Sequence, residues 1–144
     1  DGIIIRHMKR KAKKFFHDFI REPDLAQTFA STCCFKGIPF LFSGTQSLKI
    51  KETDRIAALI SELGKMGFVL RDGGSGMLEW DGERCFPAEV PAIDTYDDHR
   101  MAMSMAPGSI LLHPLLINDP MVVTKSYPSF WDDLKQAGFT IQTK

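Results

Sequence analysis

Charged residues recur in this sequence at the positions where helices are expected to begin. Helix N-termini present unpaired N–H groups and a partial positive charge, and neighbouring Lys and Arg side chains turn such ends into anion sites. If several of these ends converge, they predict a site for a small molecule with several negative charges, with Asp24 and Glu52 as acid–base groups. The charged residues concerned are Asp24, Lys51, Glu52, Arg55, His99, Arg100 and Lys125.

Each of these residues also has a purely structural interpretation. An acid at a helix start is commonly only a cap, which applies to Asp24, Asp54 and Asp98. Lys51 and Arg55 are four residues apart and could simply share an exposed helix face. Basic residues at a helix N-terminus nevertheless oppose the helix dipole, and such a local conflict is typical of functional sites. The residues alone therefore predict an anion-binding α/β domain.

Two helices are expected to carry the first of these charges. One follows Pro23, which fits a first helical turn, with Leu25, Phe29, Ala30 and Cys33 on one face. The clearer helix begins at Thr53 or Asp54 and ends before Gly67. Glu62 and Lys65 are interpreted as a pair on the surface of that helix. Its apolar stripe comprises Ile56, Leu59, Ile60, Leu63 and Met66.

The remaining elements alternate between strand and helix patterns. Residues 38–42 predict a strand, residues 68–71 and 77–80 a hairpin, and Asp97 or Asp98 the cap of a third helix. Residues 110–117 are strand-like but interrupted by Pro114, Pro128 begins a last helix, and residues 139–141 suggest a closing strand. This alternation predicts an α/β domain with about four helices.

The composition excludes several classes of protein. The 144 residues suit one domain with its own core, and 44% hydrophobic with 25% charged residues is typical of an ordinary folded chain. No apolar stretch long enough to span a membrane is present, and no secretory signal is evident. Cys33, Cys34 and Cys85 lack a metal-binding spacing, so we expect no metal and reduced thiols in a cytoplasmic protein.

The N-terminal segment is strongly basic. Residues 1–14 hold six Lys and Arg residues against Asp1, a net charge of +5 in a chain whose 18 basic and 18 acidic residues balance. Such a basic segment is compatible with nucleic-acid binding, with a solvated leader or with the edge of a larger protein. No aromatic residue alternates with the charges, so we expect no nucleic-acid partner. We assign residues 1–19 to a basic leader or the edge of a truncated domain.

Four local motifs carry a resemblance to a known family. They read PDLAQ at residues 23–27, KETDRI at 51–56, DDHRMAM at 97–103 and TKSYPSF at 124–130. In this order they resemble the 5-enolpyruvylshikimate-3-phosphate synthases, or 3-phosphoshikimate 1-carboxyvinyltransferases. The resemblance covers about residues 20–142. It implies that residues 20–144 are the C-terminal part of the second of two similar domains.

The resemblance implies a fold and a reaction. The fold is an α/β domain built from βαβαββ units, with helices inside and sheets outward, and substrates bind between the two domains. In the family, the enolpyruvyl group of phosphoenolpyruvate moves to the 5-hydroxyl of shikimate 3-phosphate through a tetrahedral adduct, and phosphate is released. This reaction belongs to the shikimate pathway of aromatic amino acid biosynthesis. No cofactor or metal is implied, and no membrane partner.

The resemblance also assigns roles residue by residue. Asp24 matches the acid that binds the shikimate hydroxyls and is the candidate base, and Glu52 matches the group that handles the methylene proton of phosphoenolpyruvate. Lys51 matches a contact to shikimate 3-phosphate, as does Ser47, which stands where many members have Asn. The resemblance also implies a cationic clamp on phosphoenolpyruvate, formed by Arg55, Arg100 and Lys125. His99 is a weaker candidate for a role in the site.

The resemblance leaves one expectation about activity and two alternative interpretations. Without the opposing domain, this chain alone is expected to be inactive. The related UDP-N-acetylglucosamine enolpyruvyl transferases are an alternative, although their motifs differ at KETDRI and DDHRMAM. A non-catalytic anion-binding module is the alternative from another functional class.

Overall fold

The computed structural model describes residue 3, residues 13–50 and residues 54–143. Within these ranges, helices and strands are mixed, as the sequence predicts. In chain order, the described elements are β1 Phe15–Asp18, α1 Ala26–Lys36, β2 Phe40–Ser43, α2 Arg55–Lys65, β3 Arg71–Gly74, β4 Met77–Trp80, β5 Ala92–Ile93, α3 His99–Met105, β6 Leu116–Ile117 and α4 Phe130–Gln136. Short 3-10 helices lie between several of them, including Pro23–Leu25, Gln46–Ile50 and Pro120–Lys125.

The larger sheet has four strands in the order β1-β2-β4-β3. β1 and β2 are parallel, with Phe15 opposite Phe40, and α1 forms the connection between them. β4 is antiparallel to both β2 and β3, and β3 and β4 form a hairpin. Inward-facing aromatic rings join the strands to the core, where Phe40 and Phe42 stack with their centroids 4.2 Å apart.

The first two helices pack on this sheet for different reasons. α1 buries mostly small side chains such as Ala26, Ala30 and Cys34, so it packs closely against β2, α2 and α3. α2 presents the predicted apolar stripe, and Leu59 and Leu63 are fully buried. Asp54 caps α2 by accepting hydrogen bonds from the amides of the next turn. These contacts place the N-terminal ends of α1 and α2 near that of α3.

A smaller substructure follows the sheet. β5 and β6 form a parallel pair, with Ala92 opposite Leu116. α3 packs against α1 and against the 3-10 helix Pro120–Lys125, while its residues Met101 and Met105 reach the main core. A second apolar cluster joins Ala102 of α3 to Phe130 of α4. Asp98 caps α3 as predicted, since its carboxylate accepts a hydrogen bond from the Arg100 amide.

Several local predictions are wrong. Only Leu116–Ile117 of the strand-like stretch 110–117 is a strand, since a 3-10 helix extends to Ile110 and Pro114 cannot donate to a ladder. Residues 139–141 form no strand, and the first hairpin strand begins at Arg71 instead of residue 68. β1 was not predicted at all, because three of the four residues of this short edge strand are exposed and show no alternation.

Candidate functional site

Asp24 is the centre of the charged cluster. It lies in the 3-10 turn Pro23–Leu25, which leads directly into α1 and begins at a proline. Its Oδ1 accepts a hydrogen bond from Arg55 Nη1 at 2.9 Å, and its Oδ2 accepts one from Arg100 Nη2 at 3.2 Å. One carboxylate therefore joins guanidinium groups from the starts of two helices. Because its side chain is 41% exposed, this junction remains open to solvent.

Arg55 is the buried member of the cluster. It is the first residue of α2, and its side chain is only 2% exposed. Its Nε lies 2.8 Å from Asp98 Oδ2, an ion-pair approach without the alignment of a hydrogen bond. A buried guanidinium is stable only when its charge is compensated, and the carboxylates of Asp24 and Asp98 provide that compensation.

Asp98 performs two tasks at the start of α3. Its Oδ1 accepts a hydrogen bond from the Arg100 backbone amide at 2.9 Å, which caps the helix. Its Oδ2 faces Arg55, and its side chain is only 2% exposed. The sequence predicts the cap, but the pairing with Arg55 joins residues far apart in the chain and gives no local signal.

Lys125 lies at a separate, more exposed position. It ends the 3-10 helix Pro120–Lys125, and its Nζ contacts Asp97 Oδ1 at 2.7 Å. The Lys125 and Asp97 side chains are 55% and 77% exposed. Since Asp97 directly precedes Asp98, Lys125 contacts the same turn that supplies the partner of Arg55. Lys125 is therefore connected to the cluster by way of Asp97, whereas Arg55 and Arg100 bind Asp24 directly.

Of the other predicted site residues, Ser47 and His99 are described by the structure and two are not. Ser47 is half-buried in the 3-10 helix Gln46–Ile50, which packs against the turn that carries Asp24. His99 is the first residue of α3 and is half-buried. Lys51 and Glu52 lie outside the described residues. The structure thus brings Asp24, Arg55 and Arg100 together.

Glu62 is a residue whose setting the sequence interpretation misjudged. It pairs with Lys65 as expected, but it is fully buried, so the expected surface position of the pair is wrong. Its carboxylate accepts hydrogen bonds from Lys65, from Tyr96 and from the Asp94 backbone amide. The pKa of Tyr96 is raised, mainly because its hydroxyl is partly withdrawn from water and secondly because it donates a hydrogen bond to Glu62. An i, i+3 acid–base pair is commonly exposed, so only the tertiary fold reveals this buried group.

The arrangement suits an anion with more than one acceptor. Two Arg side chains reach one partly exposed carboxylate, and the side chain of Arg100 is 30% exposed. Arg binds carboxylates and phosphates through two parallel N–H donors, whereas Lys acts as a point charge. Within residues 13–50 and 54–143, no group of His, Cys, Asp and Glu side chains is arranged to hold a metal ion. In the same ranges, no helix is long and apolar enough to cross a membrane.

Comparisons with known proteins give one consistent result. A family model described as EPSP synthase (3-phosphoshikimate 1-carboxyvinyltransferase) matches residues 2–134. The chain is 50% identical over 141 residues to a 3-phosphoshikimate 1-carboxyvinyltransferase of Bacteroides fragilis, a match that covers 98% of this chain and 34% of the relative. A protein of the same name from Cellvibrio japonicus is 40% identical over 124 residues, covering 86% of this chain and 28% of the relative.

A third relative extends the pattern. The protein of the same name from Burkholderia orbicola is 38% identical over 128 residues, which is 89% of this chain and 29% of the relative. The chain therefore spans about a third of the length of the curated relatives it matches.

Proposed function

This chain belongs to the EPSP synthase family, and we propose that it contributes one wall of an active site that transfers an enolpyruvyl group. In the proposed reaction, the 5-hydroxyl oxygen of shikimate 3-phosphate bonds to the enol carbon of phosphoenolpyruvate. The methylene carbon gains a proton, and loss of a proton and of phosphate from the tetrahedral adduct then restores the double bond. The observation that carries this proposal is the Asp24 carboxylate, which holds Arg55 and Arg100 together at a solvent-accessible position.

The two carboxylates divide the proton transfers. Asp24 binds the hydroxyls of shikimate 3-phosphate and accepts the proton of the attacking 5-hydroxyl. Glu52 donates the proton to the methylene carbon and later takes one back from the resulting methyl group. Lys51 and Ser47 bind shikimate 3-phosphate. The position of Ser47 beside the turn that carries Asp24 supports this division.

The cations bind the second substrate. Arg55, Arg100 and Lys125 bind the carboxylate and phosphate of phosphoenolpyruvate, so that Asp24 shares its two Arg partners with the ligand. Asp98 faces the Nε of Arg55, and this charge compensation keeps the guanidinium oriented before the substrate arrives. Positioning and charge stabilisation then supply much of the catalysis. His99, at the start of α3, supports the site without a direct chemical step.

We also propose a wider structural setting. The order strand, helix, strand, helix and hairpin over β1 to β4 supports a βαβαββ unit of the family fold, with helices inside and the sheet outward. The other half of the cleft belongs to an N-terminal domain of the full-length protein. A biosynthetic role in the shikimate pathway accords with a cytoplasmic location. Neither a cofactor, a membrane nor a nucleic acid has a part in the proposal.

The test is phosphate release from phosphoenolpyruvate and shikimate 3-phosphate by a full-length protein that carries this sequence. Asp24→Asn and Glu52→Gln keep the side-chain shapes but remove the proton transfer, which contributes roughly 10²–10⁴-fold. We expect kcat to fall by that order and KM for phosphoenolpyruvate to change less. Full-length protein that releases no phosphate would refute the activity, and near-normal kcat in both variants would refute the proton-transfer roles of the two carboxylates.

A further inference from the structure

The turn that precedes α3 has an unusual backbone. Tyr96 and Asp97 both have positive φ, at +52° and +54°, and the Asp98 amide donates a hydrogen bond to the Thr95 carbonyl at 2.8 Å. Two consecutive left-handed residues are typical of turns made by Gly, Asn and Asp, and a bulky residue such as Tyr is disfavoured there. Contacts from elsewhere in the protein must therefore hold this turn in place.

The turn carries the acidic partners of two cations and the cap of the helix that carries a third. Asp97 contacts Lys125 at 2.7 Å, and Asp98 faces Arg55 at 2.8 Å. Asp98 also caps α3, which aims Arg100 at Asp24. A change in the turn would therefore displace Lys125, Arg55 and Arg100 together.

Glu62, on α2, is hydrogen-bonded to the turn and to the residue that leads into it. It is fully buried, and its Oε1 accepts a hydrogen bond from the Tyr96 hydroxyl at 2.7 Å. Its Oε2 accepts hydrogen bonds from the Asp94 amide at 3.0 Å and from Lys65 Nζ at 2.7 Å. Lys65 in turn binds the Ala92 carbonyl at 2.9 Å. The carboxylate thus fixes both the turn and the end of β5 that leads into it.

The position of Glu62 on α2 connects it to the site. Arg55 and Glu62 are seven residues apart, about two helical turns, so they lie on the same face of α2. One helix therefore contacts the turn twice, through Arg55 at Asp98 and through Glu62 at Tyr96. Burying a carboxylate is costly, and an apolar side chain of similar volume often supports stability as well. Stability of the helix alone does not explain a carboxylate here.

We propose that Glu62 is a positioning residue that holds the left-handed turn at residues 95–98, and through it the cations that bind phosphoenolpyruvate. This inference rests on the proposed function for the identity of the ligand. The effect of Glu62 on the backbone of the turn does not depend on activity. Glu62 acts through Tyr96 and Asp94 and does not contact substrate.

The first test is kinetic and uses the full-length protein that carries this sequence. Glu62→Met removes both acceptors at similar volume, and we expect kcat/KM for phosphoenolpyruvate to fall about tenfold, the effect of losing hydrogen bonds to a charged group. KM for shikimate 3-phosphate should change less, since Ser47 and Lys51 are not on the turn. Glu62→Gln keeps an acceptor and should restore most of the loss. The matched control is Glu89→Met, at an exposed position.

A second pair of variants separates positioning from folding. Tyr96→Phe removes only the hydroxyl and should give a smaller loss of the same kind. Tyr96→Gly supplies a residue that adopts positive φ without strain, so adding it to Glu62→Met should recover part of the phosphoenolpyruvate efficiency. Loss of folded protein would instead lower kcat with both KM values unchanged. Such a uniform loss, or the absence of any recovery by Gly, would overturn the proposal.

Amide hydrogen exchange distinguishes this inference from the proposed function. In Glu62→Met, the amides of Asp98 and Arg100, which are hydrogen-bonded in the turn and the cap, should lose about tenfold in protection. The amide of Phe42 in the sheet should not change. Unchanged protection at Asp98 and Arg100 refutes the role of Glu62 even in an active enzyme. If the Glu62→Met variant loses protection but the full-length protein never releases phosphate, the positioning role of Glu62 is supported and only the proposed function is refuted.

Discussion

At the scale of single residues, the site is defined by how its charges are compensated. Arg55 is almost entirely buried, whereas Asp24 is partly exposed and Asp98 is not. The two carboxylates therefore contribute differently. Asp98 compensates Arg55 away from water, where the loss of a partner is expensive. Asp24 compensates it at the surface, where a ligand has access and where water screens the pair.

This difference predicts unequal losses of stability. Asp98→Asn keeps a good N-cap residue but removes the buried charge, so we expect the free energy of unfolding to fall by about 3 kcal/mol. Asp24→Asn should cost at most about 1 kcal/mol, because the Asp24 carboxylate is partly exposed and water screens its charge. Urea unfolding of the full-length protein that carries this sequence measures both. Equal losses would mean that burial does not distinguish the two carboxylates.

At the scale of elements, close approach of β1 and β2 depends on the residue that follows β2. Gly44 has φ of +72°, and a Cβ atom there would clash with the Asp18 carboxylate and with the Ile20 backbone nitrogen. The end of β1 is joined to β2 at this point, where the Phe19 amide donates to the Ser43 carbonyl at 2.9 Å. Gly37, which ends α1 with φ of +63°, has open space around the corresponding position.

These two glycines provide a matched pair of substitutions. Gly37→Ala should lower the free energy of unfolding by about 1 kcal/mol, the cost of a left-handed conformation alone. Gly44→Ala adds steric overlap with backbone, and we expect a total loss of roughly 2–5 kcal/mol. Urea unfolding of both variants tests this difference. A loss at Gly44 no larger than at Gly37 would show that β1 moves aside at little cost.

A second prediction at this scale concerns acid. Lys49 Nζ contacts Asp72 Oδ2 at 2.5 Å and joins the 3-10 helix Gln46–Ile50 to β3. That hydrogen bond, with a second one from the Gly74 amide, lowers the pKa of Asp72. A carboxyl whose pKa is lowered by folding stabilises the protein above its unfolded pKa, near pH 4, and loses that contribution as the pH falls through the lower folded value.

Lys49→Met removes the interaction and provides the measurement. The variant should unfold at lower urea concentration than the unmodified protein at pH 7, and the difference should shrink as the pH falls below about 4. Lys36→Met is the matched control, because it removes the same charge at an exposed position at the end of α1, away from the Lys49–Asp72 contact, and its effect should not shrink in acid. A difference that stays constant down to acid pH would assign the loss to packing by the Lys49 side chain instead of to charge.

At the scale of the whole molecule, the described site is one-sided. Asp24, Arg55 and Arg100 share a surface that is partly open to solvent, and the chain spans about a third of the length of its relatives. Desolvation and exact placement of both substrates require groups on the opposite side of the bound ligands. The family membership places those groups, in our proposal, in the N-terminal domain.

We therefore expect the isolated 144-residue chain to be inactive. Phosphate release from phosphoenolpyruvate and shikimate 3-phosphate should stay at the background rate, while the full-length protein turns over. Retained amide protection in α2 would show that the isolated chain is folded and that inactivity is not a trivial result of unfolding. Turnover by the isolated chain would refute the requirement for a second domain.

Features that depend on local interactions can be predicted from the sequence. The caps at Asp54 and Asp98, the apolar stripe of α2 and the hairpin turn before Met77 each involve neighbouring residues, so their patterns are visible in the chain. The charged residues at helix starts are likewise visible, because their conflict with the helix dipole is local. β1 escaped prediction, since an edge strand with three exposed residues needs its partner to be identified.

Which charges meet depends on the tertiary structure. Asp24 lies 31 residues before Arg55 and 76 before Arg100, and no local pattern links residues at such separations. Glu62 is the clearest case, because its spacing to Lys65 predicts an exposed pair and packing against the turn at residues 95–98 buries it. Local patterns report the helix on which a charge lies, whereas its burial and its partner depend on how the helices pack together.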